Sequence, residues 1–248
     1  MPRVARKRSG TGLYHVVARG VARQPIFEDS RDYERMIGTM AARLVRTSVE
    51  LDAYCLMGNH YHLLLFDPAS EMSSFMAGVN TSYAMYYNAR HGRVGTLFQE
   101  RFWSEGLEDE ARYLTVVRYI LQNPERAGIA AARDYPWSSM GAYAGPDAGI
   151  VSTRRVLEVA GGLRALVAIV EGPAADDAGE TTSAGVAPAV PEALATLFDE
   201  EFGVSAGMVP LLTRSRRDAA LRRARESGFS VRAISRATGL GRGVVQRA

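Results

Sequence analysis

Residues 49–66 read VELDAYCLMGNHYHLLLF, and this stretch decides the fold. Two apolar runs, 49–56 and 61–66, are separated by Met57-Gly58-Asn59, a turn-forming triplet. Runs of that length, rich in Leu, Val and aromatic residues and broken by Gly-Asn, predict two strands joined as a hairpin. The second run continues through Leu63-Leu64-Leu65-Phe66 without a polar residue, as expected of a central strand covered by helix.

Working outward, residues 13–18 (LYHVVA) read as a strand and 32–47 as an amphipathic helix. Beyond the hairpin, residues 71–90 read as a second long helix. Met72, Phe75, Met76, Val79, Tyr83 and Tyr86 recur there at three- and four-residue spacing, a core stripe rather than a cofactor site. A strand over 96–105 and a third helix over 109–122 follow, the helix opening on acids and closing at Asn123-Pro124. The order β-α-β-β-α-β-α predicts an α+β, ferredoxin-like split βαβ domain: an antiparallel sheet with helices on one face, plus a terminal helix. Such a fold hosts many functions, so the site must carry the functional argument.

Composition narrows the class. With 248 residues, 47% hydrophobic and 23% charged, the chain is globular, which excludes disordered, collagenous and coiled-coil readings. No apolar run reaches the ~18–20 residues of a membrane span. The basic N-terminus is not followed by a signal-type apolar segment, and the single cysteine, Cys55, allows no intrachain disulfide, so a cytoplasmic location is expected. Cys55 itself reads as a small core residue. Charge is clustered: residues 171–209 carry 8 acids and no base, whereas residues 210–248 carry 10 Arg against Asp218 and Glu226. A basic tail beyond an acidic, Ala/Gly/Pro-rich linker over 171–191 suggests a tethered polyanion-binding module.

Two of the four histidines fall in His60-Tyr61-His62. On a strand both imidazoles point one way, ~7 Å apart, and Tyr61 points the other. They can converge on one divalent ion if a third ligand comes from elsewhere; two ordinary strand histidines are the alternative. On the third helix Tyr119 and Asn123 are four apart and share a face with Arg112, Thr115 and Gln122, while Leu114, Val117, Ile120 and Leu121 form the apolar stripe. Tyr113 borders that stripe and reads as having no polar partner, and Tyr119 also reads as a core-edge tyrosine. A phenol, with its ordinary pKa of about 10, is a poor nucleophile at neutral pH. Beside a cation that polarises a phosphodiester it can attack phosphorus and become a phosphotyrosine. Mg²⁺ or Mn²⁺ suits two neutral imidazoles and an amide oxygen, Mn²⁺ tolerating imidazole better.

Five blocks in order carry a family resemblance: YHVVARG at 14–20, LMGNHYHLLL at 56–65, NTSYAMYYNARHGRVGTLFQERF at 80–102, RYLTVVRYILQNPERAG at 112–128 and YPWSS at 135–139. The chain resembles the single-tyrosine HUH transposases, in particular the REP-associated tyrosine transposases. The resemblance implies that His60 and His62 are metal ligands, Asn123 the third ligand and Tyr119 the nucleophile, with Mg²⁺ or Mn²⁺ as cofactor. It implies cleavage and strand transfer of single-stranded DNA beside a hairpin, giving a 5′-phosphotyrosine and a free 3′-hydroxyl. A nucleoid-associated monomer or homodimer with no membrane partner follows. The organisation expected is a catalytic domain over 1–148, a helical extension and acidic linker over 149–190, and a basic helix-turn-helix domain over 191–248.

The tail ends FSVRAISRATGLGRGVVQRA, which reads as a helix over 231–237, a Thr238-Gly239-Leu240 turn and a helix over 242–247. Arg242 and Arg247 are placed to reach bases or phosphates of double-stranded DNA. Arg214, Arg216, Arg217, Arg222, Arg223 and Arg225 are better placed for its backbone. Arg3, Arg6, Lys7 and Arg8 form a second candidate phosphate contact. Two other classes stay open at this level: a non-catalytic DNA-binding regulator with the same fold, and a metal phosphodiesterase in which water attacks.

Overall fold

The computed structural model describes residues 8–172 and 192–248. Arg3, Arg6 and Lys7, and the expected linker from residue 173 to 191, lie outside them. Four strands, β1 (Leu13–Arg19), β2 (Glu50–Met57), β3 (His60–Phe66) and β4 (Trp103–Leu107), form an antiparallel sheet in the order β2-β3-β1-β4. Helix α1 (Ser30–Leu44) joins β1 to β2, and β3 returns between them, which is the split βαβ arrangement. The hairpin is as read, with His60 drawn into the strand opposite Met57. The strand expected over 96–105 is shorter and later. The chain before Trp103 instead runs past the end of β1, where the Gln99 N–H donates to Arg19 O at 2.9 Å.

An acid caps each helix that brackets the sheet. Asp29 accepts from the Arg31 N–H at the start of α1, and Asp67 from the Glu71 and Met72 N–H groups at the start of α2 (Met72–His91). Asp109 does the same for the Arg112 N–H, 2.7 Å away, at the start of α3 (Glu110–Arg126). The apolar face of α2 buries Met72, Phe75, Met76, Val79, Tyr83 and Tyr87; Tyr86 turns half outward and donates to Asp32.

Strand alternation sends Tyr61 and His62 to opposite faces. The Tyr61 hydroxyl donates to Asn80 Oδ1 of α2, so α1 and α2 cover that face. The one-sided layer expected for the split βαβ unit is this pair; α3 adds a layer on the His62 face. Helix α3 runs three residues past Asn123, through Pro124, to Arg126. In the last turn the proline's missing N–H costs one backbone bond, and Ala127 N–H to Asn123 O closes the helix at 3.0 Å.

Tyr113 does have a polar partner: its hydroxyl donates to Asp52 Oδ2 at 2.8 Å. Asp52 sits where β2 slips register between Leu51 and Ala53, a bulge that aims its side chain at α3. After the short α4 (Met140–Ala144), helices α5 (Thr153–Ala160) and α6 (Leu163–Glu171) extend the same core through Val156, Leu166 and Val170.

A second core gathers Leu194 and Phe198 of α7 (Glu192–Phe202), Leu221 of α8 (Arg214–Glu226), Ile234 of α9 (Val231–Thr238) and Val245 of α10 (Arg242–Arg247). Helix α9 ends at Gly239, whose φ of 72° is the left-handed conformation glycine supplies at a helix end. Arg217, read as a candidate DNA-backbone contact, turns inward. It is only 6% exposed, pairs with Asp218 and donates to Glu28 O at 2.7 Å. Among the described residues no helix is long and apolar enough to cross a membrane.

Candidate active site

The sheet face under α3 collects the chemistry. On β1, His15, Val17 and Arg19 share this face by alternation, and the register sets Val17 opposite His62 and Arg19 opposite His60. Helix α3 lowers Tyr119 onto the same spot. Its ring centroid lies 5.4 Å from that of His62 and 5.9 Å from that of His15, edge-on to both. The Arg126 guanidinium, two turns on, stands 5.2 Å from the Tyr119 ring centroid.

The imidazoles are specifically oriented. Asn59 Nδ2 donates to Arg23 O, which fixes the amide so that Oδ1 faces His60 Nδ1 at 2.6 Å. An amide oxygen only accepts, so the His60 proton is on Nδ1 and Nε2 is the basic nitrogen. His62, 4% exposed, engages Nδ1 with His15 Nε2 at 3.0 Å, and its Nε2 is buried without a protein partner. Burial holds all three rings in the neutral form. It lowers His60 to about 3, with Arg19 adding, and His15 to about 4, with Arg112 adding. His62 is pushed well below its ordinary value, again by burial first.

Neutral imidazoles, one with an orphaned buried Nε2, are the form a divalent cation requires. His15 meets the other nitrogen of His62, so it does not extend the ligand set on the Nε2 side. Among the described residues no three His, Cys, Asp or Glu side chains form a metal-binding group. Asn123 offers an amide oxygen. It is buried at 9% exposure, and its Nδ2 donates to Tyr119 O at 2.9 Å, which leaves Oδ1 as the acceptor end. The donor chemistry of His60, His62 and Asn123, two neutral imidazoles and an amide oxygen, thus suits a hard divalent cation.

The structure brings His60, His62 and Tyr119 together, with Asn123 one turn from Tyr119. Arg8, Arg242 and Arg247 are exposed, the last two on α10 with Val244 and Val245 turned to the core. Sequence reading missed His15. Period-two alternation along β1 puts His15 and Arg19 on one face, but only the register against β3 reveals which face it is.

Residues 10–123 match the model of the family described as IS200-like transposases. A solved REP-associated tyrosine transposase bound to a REP hairpin is similar at a TM-score of 0.50 and 18% identity, over 62% of this chain and 90% of that one. A candidate transposase from Deinococcus radiodurans R1 gives 0.35 and 16%, over 48% of this chain and 95% of that one, too low a score to carry weight. No curated protein matches. The matched segment runs from ahead of β1 to Asn123 on α3, and over it the chain is similar to the IS200-like transposases.

Proposed function

We propose that the protein cleaves and rejoins single-stranded DNA beside a hairpin through a covalent 5′-phosphotyrosine at Tyr119, as a REP-associated tyrosine transposase. The observation that carries this reading is the Tyr119 ring set edge-on against His62, whose buried Nε2 has no protein partner. A Mg²⁺ or Mn²⁺ ion held by His60, His62 and Asn123 would polarise the scissile phosphate. Tyr119 Oη attacks phosphorus, its proton passing to solvent, and the P–O3′ bond breaks to leave a 3′-hydroxyl once that oxygen takes up a proton. Arg126 and Arg19 give the surroundings a positive sign that suits the incoming phosphodiester. Hairpin recognition is supported by the likeness to a transposase solved with a REP hairpin. Arg242 and Arg247, exposed on α10, are the candidate contacts to double-stranded DNA, with Arg8 a candidate phosphate contact on the catalytic unit.

The test is a denaturing gel of purified protein with Mn²⁺ and labelled single strands from the DNA flanking its gene. A metal-dependent adduct that disappears in Tyr119→Phe supports the reading. Cleavage that survives Tyr119→Phe assigns the attack to water, and binding without cleavage in the native protein favours the regulator.

A further inference from the structure

We infer that His15 is a positioning residue: it accepts the Nδ1 proton of His62 and so directs the basic Nε2 of that ring into the site. The inference rests on the metal reading above and concerns a residue outside the ligand set. The two rings meet end to end at 3.0 Å between His15 Nε2 and His62 Nδ1, with centroids 5.2 Å apart and planes 19° from parallel. One nitrogen must donate and the other accept. If His15 donated, His62 would carry its proton on Nε2, which is buried and has no protein acceptor. A buried N–H without an acceptor is the costlier arrangement. With His62 donating, the unpartnered atom is a lone pair, which is what a cation takes up. A ring nitrogen that donates away from the metal fixes both tautomer and ring orientation.

The surroundings hold His15 to this role. It is 7% exposed, on the central strand, with the Trp103 ring edge-on at 5.5 Å and Tyr119 at 5.9 Å. Val17 is the residue opposite His62, so His15 reaches it diagonally across the β1–β3 ladder, a contact available to a long planar side chain. Asn59 does the same for His60, from the neighbouring position. Both imidazoles are thus oriented through Nδ1 by a partner that is not itself a ligand.

Two measurements test this. In the native apoprotein, long-range ¹H–¹⁵N correlation should find His62 protonated on Nδ1; a proton on Nε2 overturns the inference without any variant. Mn²⁺ titration followed by electron paramagnetic resonance should show His15→Phe weakening binding by about 10–100-fold. His15→Gln, whose amide oxygen can accept the same proton, should recover most of that loss. His62→Ala serves as the reference for a lost ligand. Mn²⁺ binding that requires His62 but ignores His15→Phe overturns the role of His15 alone. Native protein whose Mn²⁺ binding ignores His62→Ala overturns the metal reading and this inference with it.

Discussion

Replacing Arg155 by Met isolates the buried charge that ties the tyrosine helix to the sheet. Asp52 is fully buried, receives the Tyr113 hydroxyl at 2.8 Å and pairs with Arg155 Nη1 at 2.5 Å. Met keeps an apolar stem near Phe66, whose ring centroid lies 4.1 Å from the Arg155 guanidinium carbon. The variant therefore removes charge more than packing. Deleting one partner of a buried pair costs about 3–5 kcal/mol. The Arg155 side chain is 22% exposed, and Tyr113 still serves Asp52, so the low end applies. About 3 kcal/mol corresponds to a fall in Tm of roughly 6–12 °C for a chain of this size. Burial pushes the Asp52 carboxyl up, and Arg155 and then Tyr113 pull it back. Without Arg155 it rises further. A group whose folded pKa lies above its unfolded value of about 3.9 leaves the fold intact below that value and penalises it as pH rises through the folded pKa. The deficit of Arg155→Met should thus be full at neutral pH and shrink towards pH 4. Asp52→Asn added to it should recover most of the loss, because an amide oxygen still accepts from Tyr113. Thermal unfolding by circular dichroism across that range decides. A neutral-pH shift under about 2 °C, or a deficit that does not shrink in acid, refutes the buried-charge reasoning.

Tyr61→Phe removes the hydroxyl that donates to Asn80 on the face away from the site. It should cost about 1–2 kcal/mol in denaturant unfolding and leave Mn²⁺ affinity unchanged; a change in affinity would contradict the facing assigned to β3. In Gly20→Ala the new Cβ would lie 2.2 Å from Gln24 O and 2.9 Å from Ile26 Cγ2, and the Gly20 N–H holds Asn59 O at the hairpin tip. Loss of about 1–3 kcal/mol of stability, with weaker Mn²⁺ binding through displaced Asn59 and His60, is expected from unfolding and metal titration together. Asn123→Ala should weaken Mn²⁺ binding at least about tenfold while Asn123→Asp retains it; equal affinity in the alanine variant takes Asn123 out of the donor set.

What the sequence discloses here follows from the range of each signal. The hairpin, the common facing of His60 and His62 and the pairing of Tyr119 with Asn123 rest on periods of two and 3.6, which operate within one element. The residues that escaped depend on a second element. Tyr113 reads as unpartnered because Asp52 is 61 positions away and its orientation depends on a bulge. His15 escapes because its partner is set by the β1–β3 register. Arg217 reads as solvent-facing because arginine usually is, yet Glu28 O, 189 positions distant, gives it an inward acceptor. Pro124 ends helices as a rule, and the rule fails where only the last turn remains.

The same distinction explains how α3 holds Tyr119 to the site. Apolar packing is non-directional, and a stripe of Val117, Ile120 and Leu121 would bury nearly as much area after a small slide or roll. Polar ties do not allow that freedom. Arg112 pairs with Glu105 of β4 at 2.9 Å, and Tyr113 bonds to Asp52 of β2. Further along, Arg118 donates to Gly172 O at 3.0 Å, and Gln122 to Val170 O at 2.6 Å, both at the end of α6. These ties lie at successive turns and reach to different sides of the helix, so together they fix its height and its rotation. The extension after residue 149 is therefore part of what sets the tyrosine. Tyr119, on the turn between Tyr113 and Gln122, inherits its place over His62 from residues that never touch the site.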